Sequence, residues 1–214
     1  MNPLTDRISG KLVHEMNNNR WLFYSLTIPV DRPVRDLPEG YVREIWHPSL
    51  LRFKARGTPP LPFVMWWVFH MLHIFSNRNY SLLLIRHNGI VVHRSVITPK
   101  YFRFPFMAAS DIQVGGTWTD PKERGKGLAT NALQCITMAT FLSQRTCWYV
   151  VEAHNSASIR VAEKAGFTLS GSGVRTLPFR QSALGQYMRT ECVAKNMTES
   201  AAAREIIQLR QTRV

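Results

Sequence analysis

The run Thr117-Trp118-Thr119-Asp120-Pro121-Lys122-Glu123-Arg124-Gly125-Lys126-Gly127-Leu128-Ala129 holds the residue types and spacing best suited to chemistry. The stretch Asp111–Thr119 before it reads as a strand, and Leu128, Ala132, Leu133, Ile136 and Ala139 after it recur at helical spacing. A basic, glycine-containing loop between a strand and a helix start presents backbone N–H groups beside the positive end of the helix dipole. That arrangement is an anion cradle. Gly125 and Gly127 let phosphate oxygens approach the backbone, and Arg124 and Lys126 add charge. A Walker loop is excluded, because Lys126 is followed by Gly127 where Ser or Thr is needed. A dinucleotide fingerprint begun at Gly125 is excluded too, because its third glycine would fall on Thr130.

A second segment narrows the chemistry. After the apolar strand Cys147–Ala153 comes NSASIRVAEKAGF, Asn155 to Phe167, with a helix predicted from about Asn155 to Ala165 and stopped by Gly166. The Arg-x-x-Gly-x-Ala of Arg124–Ala129 resembles the Arg/Gln-x-x-Gly-x-Gly/Ala signature of the GNAT superfamily of acyl-CoA-dependent N-acetyltransferases. NSASIRVAEKAGF is similar to that family's second motif, an Asn followed by a helix ending in Glu-Lys-x-Gly-Phe. The ordered pair, about thirty residues apart, makes the resemblance specific, and it covers about residues 80–195. It implies a mixed α/β fold with a mostly antiparallel central sheet flanked by helices. It also implies acetyl-CoA as co-substrate, its pyrophosphate held by backbone amides of Arg124, Gly125, Lys126, Gly127, Leu128 and Ala129. The pantetheine arm would pair with the strand at Gly116, Thr117 and Trp118, and Asn155 would touch the cofactor nearby. The reaction implied is direct attack of a small-molecule amine on the thioester.

The departures from the family are as informative. Many members place a tyrosine acid seven residues after the asparagine, and here that position is Ala162. Alanine-specific ribosomal-protein acetyltransferases carry a glutamate base five residues before it, and here that is Val150. Ser158, three residues after Asn155, resembles the serine of the ribosomal-protein and sugar-modifying branch, where the hydroxyl sits near the thioester sulfur. A polar first-turn residue and a helix N-cap are the plain structural alternatives for Ser158 and Asn155. Strand parity puts Glu152 on the face of the missing glutamate, and Asp111 and Gln113 share a face of the strand before the loop. Glu152 and Asp111 are therefore the candidate bases, with His154 just beyond its strand's end. The plain reading of each, a solvated or salt-bridged strand residue, is favoured over the catalytic one.

The elements that position these groups follow from pattern. Tyr80–Arg86 and Ile90–Ile97 flank His87-Asn88-Gly89, the strongest short-range hairpin signal. Prolines punctuate residues 29–62, with short strands expected at Trp21–Ile28 and Tyr41–Trp46. Leu61–Phe75 reads as a buried helix roofing the acceptor side, its rival being a helix in a membrane interface. Leu184–Val193 reads as a last strand and Glu199–Gln211 as a basic helix. The expected organisation is an N-terminal region 1–79 on the acceptor side, an acyl-CoA-binding core 80–195, and a basic C-terminal helix 196–214.

Composition bounds the rest. The 214 residues are 45% hydrophobic and 19% charged, a globular balance that excludes a disordered or fibrous chain. Three cysteines without a CxxC, and a start lacking a secretory pattern, favour a reducing, cytoplasmic setting with no disulfide scaffold. No metal site is expected, since His70 and His73 have no further ligand type nearby. Twenty-seven basic against 14 acidic residues, a net +13, favour anionic partners. No nucleic-acid-binding signature accompanies that charge. Residues His93–Met107 put arginine, lysine and aromatics beside the expected cleft, which suits an amino-sugar nucleotide. The alternatives are a protein N-terminus or amino acid as acceptor, and a non-catalytic acyl-CoA or nucleic-acid binder. Peripheral contact with the inner face of a membrane is compatible with the charge.

Overall fold

The structure, a computed structural model, describes residues 20–27, 34, 36–141, 145–176, 178 and 185–192. Among them eight strands form one sheet: β1 (Arg20–Leu26), β2 (Tyr41–Trp46), β3 (Ser81–His87), β4 (Ile90–Pro99), β5 (Ile112–Thr119), β6 (Cys147–Glu152), β7 (Thr168–Arg175) and β8 (Tyr187–Cys192). Three α-helices accompany it: α1 (Pro60–Met71), α2 (Leu128–Phe141) and α3 (Ser156–Lys164). The helix expected over Glu199–Gln211 lies outside the described residues.

Strand order is β2-β3-β4-β5-β6-β1-β7-β8, and every neighbouring pair is antiparallel except β5 with β6. The fold is therefore the mixed, mostly antiparallel α/β fold expected. The β3–β4 hairpin turns on Asn88 and Gly89, at φ +50° and +78°, the two positive angles that a two-residue turn of the right twist needs. β1 is an interior strand, with β6 on one side and β7 on the other. One sheet thus takes strands from both sides of residue 79. β7 had no signal in the sequence beyond a Thr-Leu start, because Gly171 and Gly173 break its apolar pattern.

The sheet has two covered faces with separate cores. On one, Leu128, Leu133 and Ile136 of α2 and Ala162 of α3 pack on Ile85, Val114, Tyr149 and Val151. On the other, Phe63 of α1 meets Leu82, Leu84, Tyr101, Phe104, Met107 and Trp148. β3 is buried on both faces, with Leu82 to Ile85 at 0% exposure, so it reads as a continuous apolar run. Alternation along β6 sends Tyr149 and Val151 to the α2–α3 face, and Trp148, Val150 and Glu152 to the α1 face.

Candidate active site

The site begins where the two parallel strands part. β5 and β6 are paired at Ile112–Cys147, Gln113–Trp148 and Val114–Tyr149, and no further. Beyond that point β5 stays with β4 and β6 stays with β1. The facing backbone edges of Gly115–Thr119 and Val150–Glu152 are left on either side of a wedge-shaped slot. At the same place β5 carries a bulge: Arg94 pairs with Trp118 and Val96 with Gly115, so Ser95 faces two residues, Gly116 and Thr117. Gly116 sits at φ +55°, and a Cβ there would lie 2.9 Å from Val96 Cγ2. Glycine at 116 is required by both.

The slot opens onto the glycine loop. Asp120 accepts a hydrogen bond from the Lys122 N–H at 2.9 Å and starts a single 3₁₀ turn, Pro121–Glu123. Gly125 and Gly127 follow at φ +81° and +77°, and a Cβ at either would meet nothing within 4 Å. The next backbone bond is from the Asn131 N–H to the Gly127 carbonyl at 2.9 Å. No N–H from Arg124 to Thr130 donates to another backbone group among the described residues. Helix starts leave such donors free, and here they border open space. The result is a cleft of about 400 Å³ whose walls include Thr117, Trp118, Arg124, Gly127, Tyr149 and Ser158.

Most of the loop residues singled out in the sequence line this cleft: Thr117, Trp118, Arg124, Gly125, Gly127, Leu128, Ala129 and Ser158. Lys126 is not among the lining residues. Its ammonium turns back to Glu123 Oε2 at 2.8 Å and Tyr41 Oη at 2.9 Å, and Tyr41 also donates to Glu123. Those bonds hold the Glu123 carboxyl below its usual range and push Lys126 up to about 12. The charge expected from Lys126 is supplied instead by Arg160 and Lys164, one turn apart on α3, which line the cleft with Arg124. Their spacing was visible in the sequence, but nothing there said which helix face meets the loop.

Asn155 caps α3. Its Oδ1 accepts the Ser158 N–H at 3.0 Å, and the residue is exposed and outside the cleft lining. Asp111 lies just before β5, 6% exposed, where Oδ2 accepts from Trp148 Nε1 and from the Ala108 N–H, both at 2.9 Å. It is not among the cleft-lining residues, and both donors fix it in place. Glu152 ends β6 on the α1 face, half exposed, with Oε2 3.1 Å from His154 Nε2. Trp21 is its partner across β1, and Trp21 meets Tyr187 edge-on at 4.8 Å. Arg103 and Arg175 lie over the Tyr187 ring at 5.8 and 5.4 Å. Burial raises the Tyr187 phenol above its ordinary pKa.

Two groups escaped the sequence reading. Tyr149 stands at the last β5–β6 pair with its ring buried, lines the cleft, and its hydroxyl has no hydrogen-bond partner among the described residues. His93, fully buried, joins Thr119 Oγ1 through Nδ1 at 2.8 Å and Ser95 Oγ through Nε2 at 3.0 Å; Ser95 reaches Thr117 Oγ1 at 3.4 Å. Burial, and secondarily Arg94, lowers His93 to about 4. The neutral imidazole thus ties β4 to the part of β5 that lines the cleft. No group of three or more metal-ligating side chains occurs among the described residues.

Comparison with known proteins agrees with this geometry. Residues 100–168 match the family model for the acetyltransferase (GNAT) domain. Among solved structures, a GCN5-related N-acetyltransferase from Sphaerobacter thermophilus superposes with TM-score 0.52 at 19% identity, covering 77% of this chain and 54% of that one. A GNAT-family acetyltransferase from Colwellia psychrerythraea gives TM-score 0.48 at 15% identity, covering 75% and 58%. The chain spans little more than half the length of these solved structures. A search of curated proteins finds no match. Residues 100–168, which include β5, the glycine loop, α2, β6 and α3, are thus similar to the acetyltransferase (GNAT) domain, and the sheet shares its fold with the Sphaerobacter structure.

Proposed function

We propose that this protein transfers the acetyl group of acetyl-CoA directly to a primary amine. The observation that carries the reading is the wedge between β5 and β6, opening after Val114–Tyr149 onto a loop of undonated N–H groups. The residues present suit the co-substrate. The open positions at Gly125 and Gly127 admit a pyrophosphate, with Arg124, Arg160 and Lys164 as counter-charges. The edge Gly116–Trp118 suits an extended, amide-bearing arm that adds to the sheet as a strand would.

Acetyl-CoA supplies the activated thioester. The amine nitrogen forms the new C–N bond as the C–S bond breaks, and the electron pair leaves on sulfur. Glu152, with His154 beside it, takes the amine proton on the α1 face. Tyr149 and Ser158 line the cleft together with Thr117, Thr119 and Thr130, and of these hydroxyls Tyr149 or Ser158 donates a proton to the departing sulfur. Base and acid therefore flank the wedge from opposite faces. Asp111 is assigned to the support of β5, and Asn155 to the alignment of Ser158 through the α3 cap.

For the acceptor, the wall of Trp21 and Tyr187 with Arg103 and Arg175 beside Glu152 favours an amine carrying an anionic group, such as an amino-sugar nucleotide. We assign the protein to a reducing, cytoplasmic setting from its three cysteines, which form no CxxC. Thiol release from acetyl-CoA tests this with amino-sugar nucleotides, amino acids and N-terminal peptides as acceptors. Fastest release with the sugar nucleotide is expected. Release with peptides alone would move the acceptor class. CoA binding without release from any amine would identify a non-catalytic acyl-CoA binder, and no CoA binding would overturn the site.

A further inference from the structure

The outer side of the α1 region is apolar where solvent contact calls for charge. The chain turns tightly at Ser49–Arg52: Ser49 N–H donates to the Arg52 carbonyl at 3.3 Å, and Arg52 N–H to the Ser49 carbonyl at 3.1 Å. Leu50 and Leu51 are the two corner residues, 78% and 93% exposed. The turn is braced from below, since Trp67 of α1 donates its indole N–H to the Ser49 carbonyl at 2.9 Å. α1 itself has no Asp, Glu, Lys or Arg. Phe63 and Trp66 pack inward, while Val64, Met65 and Leu72 are exposed. A helix apolar on every side belongs in a core or against lipid, and this one is only half covered. Isolated surface leucines are ordinary; a braced tip of two beside an apolar helix face and exposed Phe53 is a patch.

The charge around the patch selects its partner. From Ile45 to Ser110 the chain has no aspartate or glutamate and eight arginines and lysines. Arg52, Lys54 and Arg56 are exposed beside the tip. Twelve residues make α1 about 18 Å long, and no helix of the described residues is long and apolar enough to cross a membrane. An apolar face rimmed by cations and too short to span lies in an interface.

We propose that the Leu50–Leu51 tip and the outer face of α1 dock on an anionic lipid bilayer, the leucines entering the headgroup–acyl boundary and the flanking cations meeting lipid phosphates. Of the two expectations for Leu61–Phe75, a buried helix or an interfacial one, the exposure of Val64, Met65, Leu72 and Ile74 disfavours the buried one. The proposal stands apart from the acetyl-transfer reading, because none of these residues lines the cleft.

Vesicle flotation of the full chain tests it, with phosphatidylcholine alone and with phosphatidylcholine plus phosphatidylglycerol. We expect flotation only with the anionic vesicles, weakened by salt. Leu50→Ser with Leu51→Ser should weaken binding about tenfold, and Arg52→Gln with Lys54→Gln should flatten the salt dependence. CoA affinity and Tm serve as controls and should not move, since the altered side chains are exposed. Absence of flotation overturns the proposal. So does salt-sensitive flotation indifferent to the leucines, which would be charge attraction alone. Gel filtration showing a wild-type dimer that the leucine pair converts to monomer, without flotation, would make the patch an interface between copies instead.

Discussion

The two faces of the sheet are built by different means. The α2–α3 face holds a cleft made of backbone: a strand wedge, a bulge at Gly116, and two glycines at positive φ. The α1 face holds side chains brought together from distant segments, with Trp21, Arg103 and Arg175 around the Tyr187 ring and Glu152 paired with Trp21. Backbone chemistry must be encoded locally, because the turn and the glycines that allow it are neighbours in the chain. A side-chain cluster needs no such adjacency. The backbone cradle should therefore fail through geometry, and proton transfer through single functional groups.

The largest effect is expected at the loop. Gly127→Val places a branched Cβ where no protein atom stands within 4 Å, so the fold loses only the local strain of a positive φ, about 1–2 kcal/mol. An anion in the cradle loses its approach altogether. Calorimetry should show CoA binding weakened by about 10³-fold, roughly 4 kcal/mol, in a protein that still melts cooperatively. Unchanged affinity would remove the cradle from the α2–α3 face.

The same face should also be sensitive to acid. His93 titrates near 6.5 in the unfolded chain and at about 4 when folded, because burial disfavours the imidazolium. The unfolded state then binds more protons between those values. Stability is fully present above pH 6.5 and falls as pH drops toward 4, by up to about 3 kcal/mol. His93→Gln keeps polar atoms near Thr119 and Ser95 and should flatten that limb of the stability curve. An equally steep acid limb in the variant would assign the loss to other groups.

Proton transfer turns on single functional groups on both sides of the wedge. Glu152→Gln should lower turnover about 100-fold with CoA affinity unchanged, since a general base is worth about 10²–10⁴. Raising the pH should restore part of the rate by deprotonating the amine in solution. Tyr149→Phe should cost about tenfold to 100-fold if its phenol protonates the sulfur, and little if Ser158 does. Wild-type rates in both variants would leave proton transfer to water.

How much of this was legible follows from the same contrast. The Asn88-Gly89 hairpin, β5, the loop, α2, β6 and α3 were readable because each signal lies within a few residues. β7 was not, because Gly173 is set by its partner strand: a Cβ there would lie 2.0 Å from the Met188 carbonyl oxygen. The place of β1 between β6 and β7 has no local signature either. Arg124 and Lys126 look interchangeable as cations, yet Tyr41 and Glu123 claim only Lys126. Tyr149 was hidden in an ordinary apolar strand, and only the end of β5–β6 pairing gives its hydroxyl a setting.

The smallest effect should come from the carboxylate that strand parity could not tell from Glu152. Asp111 is buried and its Oδ2 receives two N–H donors at 2.9 Å, one from Trp148 and one from Ala108. Asp111→Asn can keep its carbonyl oxygen toward both donors, so no buried N–H need be orphaned. What goes is the charge that strengthens those bonds, and the new amide hydrogens need partners in a buried place. The expected cost is about 1–2 kcal/mol of stability, read as a lower urea midpoint with an unchanged slope. Asp111→Ala orphans both donors and should cost more, about 1–3 kcal/mol for each unsatisfied group. Turnover per folded molecule should stay within about twofold in Asp111→Asn, since a solvated or structural carboxylate contributes none of the factor a base supplies. If instead Asp111→Asn loses about 100-fold in turnover at full stability, the proton leaves through the base of β5. The division between a backbone-built face and a side-chain-built face would then have to be redrawn around Trp148, which joins that carboxylate to the α1 core.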